Sequence, residues 1–402
     1  MPIRFLTAGE SHGPELNIII DGIPSGIELL PEDINIDLKR RQGGYGRGGR
    51  MKIEKDQVIF TGGVRLGKTL GSPIAIRIIN NDYKSWDVPM SPLPLDMTDP
   101  SIKEKIDSKY ISKVRPGHAD LTGALKYSQD DVRNVLERSS ARETTSRVVA
   151  GSVCKKLLSC FEIEIFSYVL QIGAISLDGS SLGSSYKELY ICAEKSDVRC
   201  PDEKISELMR KEIDNARSNG DTLGGLTQLV ACNLPPGLGS YMQWDKRLNG
   251  KIAGALMSVH TVKSVEIGLG KKVAGLYGSE VHDQIFVNPD WSGNGLRYKR
   301  KTNNAGGIEG GMSNGQPIIC TVATKPIPTL IKPLDSVDLK TKSNTKAHFE
   351  RSDICVVPAA GVVLEAMLSY VLADSLLEKF GGDSLPELKS NYRNYLEVCY
   401  KR

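Results

Sequence analysis

The sequence predicts an α+β fold built as a single large domain over residues 1–402. Three observations predict it. Strand-like and helix-like segments are mixed, but the regular alternation of a doubly wound sheet is missing, and several strands follow one another across short turns. No fixed-period repeat is present. No stretch is long or polar enough to be an interdomain linker, and 402 residues can bury a large core without disulfides or metals.

The elements follow from periodicity. Leu16, Ile18, Ile19 and Ile20 predict a strand over 15–22. Residues 32–41 predict a short helix whose cationic end comes last, ahead of a Gly/Arg loop from Gly43 to Arg50. Residues 51–60 and 73–79 alternate as strands. The Pro-, Asp- and Ser-rich stretch 80–102 predicts an excursion over the surface. Residues 119–128 and 130–160 predict helices, and 161–176 a strand. Residues 201–219 predict an amphipathic helix with Pro201 near its first turn and Gly220 after its end. Residues 226–234 and 317–324 read as strands, and 245–262 as helix. Residues 356–380 form a long apolar helix closed by Gly381-Gly382.

The net charge of +4 is too small to imply nucleic acid or membrane binding by itself. Its distribution is more informative. Lys39, Arg40, Arg41, Arg47, Arg50 and Lys52 stand together with no acidic residue among them, which points to a compact anionic ligand. The eight cysteines form no C-x-x-C pair and fit no zinc pattern, so they are expected to be reduced and structural, with no metal site. No apolar run is expected to reach the roughly 20 residues needed to span a bilayer, and no signal peptide is expected, which makes the cytoplasm the default.

Three motifs mislead. Gly62 to Thr69 matches the P-loop pattern, with Lys68 and Thr69 in the phosphate-binding places of a phosphotransferase. That mechanism needs a helix to start at the lysine, yet Leu70-Gly71-Ser72-Pro73 follows. Gly44 to Gly49 matches a dinucleotide fingerprint, but it follows a helix and opens a strand, the reverse of the required order. Gly9-Glu10-Ser11-His12-Gly13 matches a nucleophile elbow, but it lacks the upstream strands and oxyanion loop. An RNA-binding module using the Lys39–Lys52 loop is the other alternative; that loop has one aromatic residue, Tyr45, and no stacking platform.

Read directly, the loops carry acid–base and anion-binding groups. Of the five histidines, His12 and His118 sit in Gly-rich turns beside polar residues. Arg138 to Thr144 places two arginines and several hydroxyls in a helix-prone stretch. Lys325-Pro326-Ile327-Pro328-Thr329 is a stiff extended segment after a strand, and Arg351-Ser352-Asp353 follows it.

The ordered set of these segments resembles the chorismate synthase family. It comprises residues 7–14, 40–51, 115–120, 138–144, 306–315, 325–329 and 351–353, and so runs along nearly the whole chain. The resemblance implies a β-α-β sandwich, a homotetramer, reduced FMN as cofactor and 5-enolpyruvylshikimate-3-phosphate as substrate. It implies FMN contacts at Arg138, Ser139, Ser140, Gly310, Lys325, Pro326, Ile327, Pro328, Thr329 and Arg351. A further pair falls on His260 and Thr261, where this sequence departs from the family's usual Gln-Ala. Arg41 and Arg47 match positions assigned to NADPH. Together with Arg50, they would equally suit the substrate's phosphate and carboxylates, the reading favoured here. The resemblance puts His12 with the phosphate, His118 with the flavin, and Asp353 as the base for flavin N5. The sequence shows no appended reductase segment, so an external source of reduced flavin is expected, with NADPH a candidate reductant.

Overall fold

Isoleucine alternating with polar residues builds the first sheet. Strand Glu15–Asp21 turns Leu16, Ile18 and Ile20 to one face, and its neighbour Ile74–Ile79 turns Ile74, Ile76 and Ile78 to the same face. The antiparallel order is Arg4–Ala8, Glu15–Asp21, Ile74–Ile79, Ile59–Gly62. A second antiparallel sheet has the order Val262–Ile267, Ile318–Thr324, Gly225–Cys232, Glu164–Ile172, Ile175–Ser176. The computed structural model describes residues 2–48, 55–177, 185–292, 295–350 and 352–402.

Helices fill the space between the sheets. Thr144–Ser159 lies on the first sheet, and the central helix Val357–Phe380 lies on the second. The two helices touch at Gly151, where a Cβ would meet the Ala366 Cα at 2.3 Å, so only glycine permits this approach. The layers are therefore sheet, helices, sheet, a β-α-β sandwich around one large apolar core with smaller apolar clusters beside it. The central helix is long and apolar enough by composition to cross a bilayer, contrary to the expectation that no such run exists. It is instead sheathed by protein, with 89% of its most apolar window buried. Glu365 is buried in its middle. Burial opposes its charge, but Arg40, Lys155 and Arg199 close around it and hold its carboxyl well below the usual range.

Several expected elements differ. Residues 51–54 lie outside the described residues, and the strand expected over 51–60 is Ile59–Gly62. The helix expected over 130–160 is broken into Arg133–Ser139, the short turn Ala141–Glu143 and Thr144–Ser159. Ser140 is extended there, and its hydroxyl accepts from the Arg142 N–H at 3.3 Å, the local bonding by which serine competes with a helix. The P-loop reading fails on geometry. Lys68–Thr69 pairs with Val64–Arg65 in a small hairpin, no helix follows, and the Thr69 hydroxyl donates to the Pro24 carbonyl. Helices Tyr186–Lys195 and Leu385–Lys401 and strand Arg4–Ala8 went unpredicted.

Candidate active site

A cavity of about 590 Å³ opens where several connections converge, within the size range of small-molecule sites. They are the turn after Arg4–Ala8, the end of helix Pro31–Gln42, the turn before helix Asp120–Tyr127, the break at Ser140, and the segments following Ile318–Thr324 and preceding the central helix. The lining includes apolar Val259, Ile331, Val356 and Val363, and Arg41, Arg47, Arg115 and Lys325 bring positive charge.

His12 enters on the turn after the first strand. Its Nδ1 lies 2.8 and 3.0 Å from the two carboxylate oxygens of Glu137. The same carboxylate accepts from the His12 backbone N–H at 2.7 Å, and the Glu137 carbonyl accepts from the Ser11 N–H at 3.0 Å. Burial works against the Glu137 charge, but the bonds from His12 and the Arg133 charge outweigh it and lower its pKa. Trp86 stacks on the imidazole with ring centroids 4.0 Å apart. The stretch expected to be a surface excursion therefore also covers one face of the His12 ring.

His118 is held differently. Its Nδ1 bonds to Asp120, and Arg115 grips the same carboxylate through Nε at 2.8 Å and Nη2 at 3.0 Å. Arg115 also donates to the Thr329 hydroxyl at 3.1 Å. Burial opposes the Asp120 charge, and the hydrogen bonds from His118 and Arg115 overcome it, leaving the carboxyl well below its ordinary range.

Asp353 does not cap the central helix, whose N-cap position is Val356. Its Oδ1 accepts from the Gly48 N–H at 2.6 Å, and its Oδ2 pairs with Arg47 at 2.8 Å. Arg41 donates to the Thr144 hydroxyl at 3.0 Å and to the Ala141 carbonyl at 2.8 Å. The six-cation cluster is therefore not one cradle. Arg41 and Arg47 line the cavity, Arg40 is committed to Asp37, Glu194 and Glu365, and Arg50 and Lys52 lie outside the described residues.

Ser139, Ser140, His260, Thr261, Lys325, Ile327, Pro328 and Thr329 all line the same cavity. Lys325 Nζ donates to the Gly117 carbonyl at 2.5 Å, and burial lowers its pKa. Burial also lowers the pKa of His260, against the attraction of Glu143 at 3.9 Å. Arg138 and Pro326 are not in the lining. Arg138 turns to the Thr7 and Gly9 carbonyls and lines a neighbouring hollow instead. Gly310 also lies off this cavity, at the tip of hairpin Ile308–Glu309/Met312–Ser313 beside Tyr241. Arg351 is outside the described residues. The residues that sequence reasoning missed are Glu137, Trp86 and Glu350. Glu137 and Glu350 each directly precede one of the ordered segments, Arg138–Thr144 and Arg351–Asp353, whereas Trp86 had no such signal.

Comparison with known proteins now decides the family. The chorismate synthase family model matches residues 3–377. The chain belongs to the chorismate synthase family. It is 51% identical over 399 residues to the chorismate synthase of Syntrophotalea carbinolica (strain DSM 2380 / NBRC 103641 / GraBd1), covering 99% of both chains. It is 51% identical over 395 residues to that of Listeria innocua serovar 6a (strain ATCC BAA-680 / CLIP 11262), covering 98% of both. A crystal structure of a chorismate synthase superposes with a TM-score of 0.79 at 41% identity, over 100% of this chain and 99% of that one. The β-α-β sandwich is thus the family's fold, and neither the phosphotransferase nor the RNA-binding alternative finds support.

Proposed function

We propose that the protein is a carbon–oxygen lyase that removes phosphate and a ring proton from 5-enolpyruvylshikimate-3-phosphate by anti-1,4-elimination, giving chorismate, with reduced FMN as cofactor. One observation carries the reading: two histidines on one cavity, each with Nδ1 on a buried carboxylate, beside cations suited to a phosphate and two carboxylates.

The apolar lining and the polar groups of Ser139, Ser140, His260, Thr261, Lys325 and Thr329, with Ile327 and Pro328 beside them, suit a flat ring system bearing a phosphate, so these residues would hold the flavin. No carbonyl acidifies the hydrogen lost from the substrate ring, and bound reduced FMN would lend electron density to the breaking C–O bond and regain it without net redox change. Arg41 and Arg47 neutralise the substrate anion in preference to NADPH, which stays a candidate reductant. His12 delivers a proton from Nε2 to the bridging oxygen as the C–O bond breaks and the phosphate leaves with the electron pair. His118 is the donor assigned to the flavin side. Asp353, held by Gly48 and Arg47, would be the base on the flavin N5 side and the carboxylate that finally takes up the proton given up by the substrate ring.

The test is an assay of the purified full chain with dithionite-reduced FMN and substrate and no other protein. Chorismate and phosphate in equal amounts, with FMN left reduced, are expected; no product overturns the reading.

We also propose that the chain is a homotetramer working in the cytoplasm without nucleic acid or a membrane. The outer face of the four-stranded sheet supports association, since Leu6 and Ile19 are 73% and 49% exposed there. Sedimentation at four chain masses is expected, and a monomer would refute it.

A further inference from the structure

We propose that Glu137 is a positioning residue for His12: its buried carboxylate fixes the imidazole with Nδ1–H turned away from the cavity, leaving Nε2 as the nitrogen that faces it, while Trp86 closes one face of the ring. The role of the His12 proton rests on the reaction proposed above; its tautomer does not.

The argument starts from burial. The Glu137 side chain is 1% exposed and His12's is 11% exposed. A buried carboxylate must be paired or it neutralises. Glu137 collects the His12 ring, the His12 amide and the Arg133 guanidinium at 3.2 Å. An ionised carboxylate only accepts, so Nδ1 must carry the hydrogen in this bond. The amide bond ties the same residue at a second point, so backbone and ring are held by one group. Trp86 is in turn held by cations, with the Arg133 guanidinium 5.0 Å and the Lys109 ammonium 4.4 Å from its ring centroid. Arg133 thus touches both groups that hold His12 and is itself anchored to Glu350 at 2.8 Å. The other charges on this cavity are Arg41, Arg47, Arg115, His118, Arg142, His260, Lys325, Glu350 and Asp353.

Two measurements test the proposal on the full chain. In the first, histidine ¹⁵N spectra of the wild type, with His12 identified by its loss in His12→Ala, should show the neutral ring protonated at Nδ1. Protonation at Nε2 in the neutral ring overturns the proposal, whatever the enzyme's activity. In the second, Glu137→Gln is assayed at steady state and should lower kcat about tenfold or more with KM little changed. Loss of turnover in His12→Ala together with unchanged turnover in Glu137→Gln sinks the positioning role and leaves the proposed reaction standing. If His12→Ala keeps its turnover, the proposed reaction role fails instead, while the spectra still decide the tautomer.

Discussion

The two histidine turns reach the same arrangement by different routes. His118 takes its carboxylate from Asp120, two residues on in the same turn. His12 takes its carboxylate from Glu137, 125 residues away on another element. In each an arginine shares the carboxylate oxygen that its histidine uses, Arg115 on Asp120 and Arg133 on Glu137, and Arg133 also supports Trp86. The first device is self-contained and holds wherever its turn is placed. The second exists only when the first strand, the helix Arg133–Ser139 and the Trp86 segment have docked. The acid assigned to phosphate thus depends on the whole fold, and the acid assigned to flavin depends mostly on its own turn.

The comparison can be broken most directly at the rings. His12→Ala and His118→Ala should each lower kcat by about 10²–10⁴, the usual cost of losing a general acid, with folding intact because both lie on turns. Flavin affinity, read by spectral titration, should fall more in His118→Ala; equal losses would erase the distinction between the two. Asp353→Asn should also lose turnover at unchanged thermal stability, because the carboxylate holds a loop amide and does not cap a helix. Unchanged turnover would assign Asp353 to structure alone.

The carboxylates should differ in acid. Both have folded-state pKa values below their ordinary ones, so their contribution to stability is present at neutral pH and is lost as pH falls below about 4. The Asp120 shift is the larger, so Asp120→Asn should flatten the acid side of a plot of melting temperature against pH more than Glu137→Gln does. Trp86→Phe should have a smaller effect, a few-fold loss in kcat without change in flavin affinity, since it touches His12 and not His118. The smallest effect belongs to Lys68→Ala. That exposed hairpin lysine should leave turnover unchanged, and ATP binding lost in this variant would revive the phosphotransferase reading.

How much of this was legible differs by residue. The Gly-rich turns showed His12 and His118, because a histidine between glycines and polar residues is a local pattern. The partner of His118 lay inside the same quoted segment, Arg115 to Asp120. Glu137 directly precedes the Arg138–Thr144 segment but went unread, since no local spacing links position 137 to position 12. Trp86 lay in a stretch whose proline and serine content reports only that it is irregular, not what it covers. The cations from Lys39 to Lys52 were read as one cluster because they are close in the chain. Neighbours on a helix point in different directions, so Arg40 turned to the core and Arg41 to the cavity.

By itself, the sequence determined the two central strands of the first sheet, Glu15–Asp21 and Ile74–Ile79, the apolar central helix, the failure of the P-loop and the family. Each is written in short-range periodicity or in the order of local motifs. The tertiary structure alone decided that the helix expected over 130–160 breaks at Ser140, that the central helix is sheathed by the second sheet and neighbouring helices, and that Glu137 and Trp86 hold His12. These depend on contacts between residues far apart in the chain, and a buried carboxylate's partner is chosen by which elements dock around it.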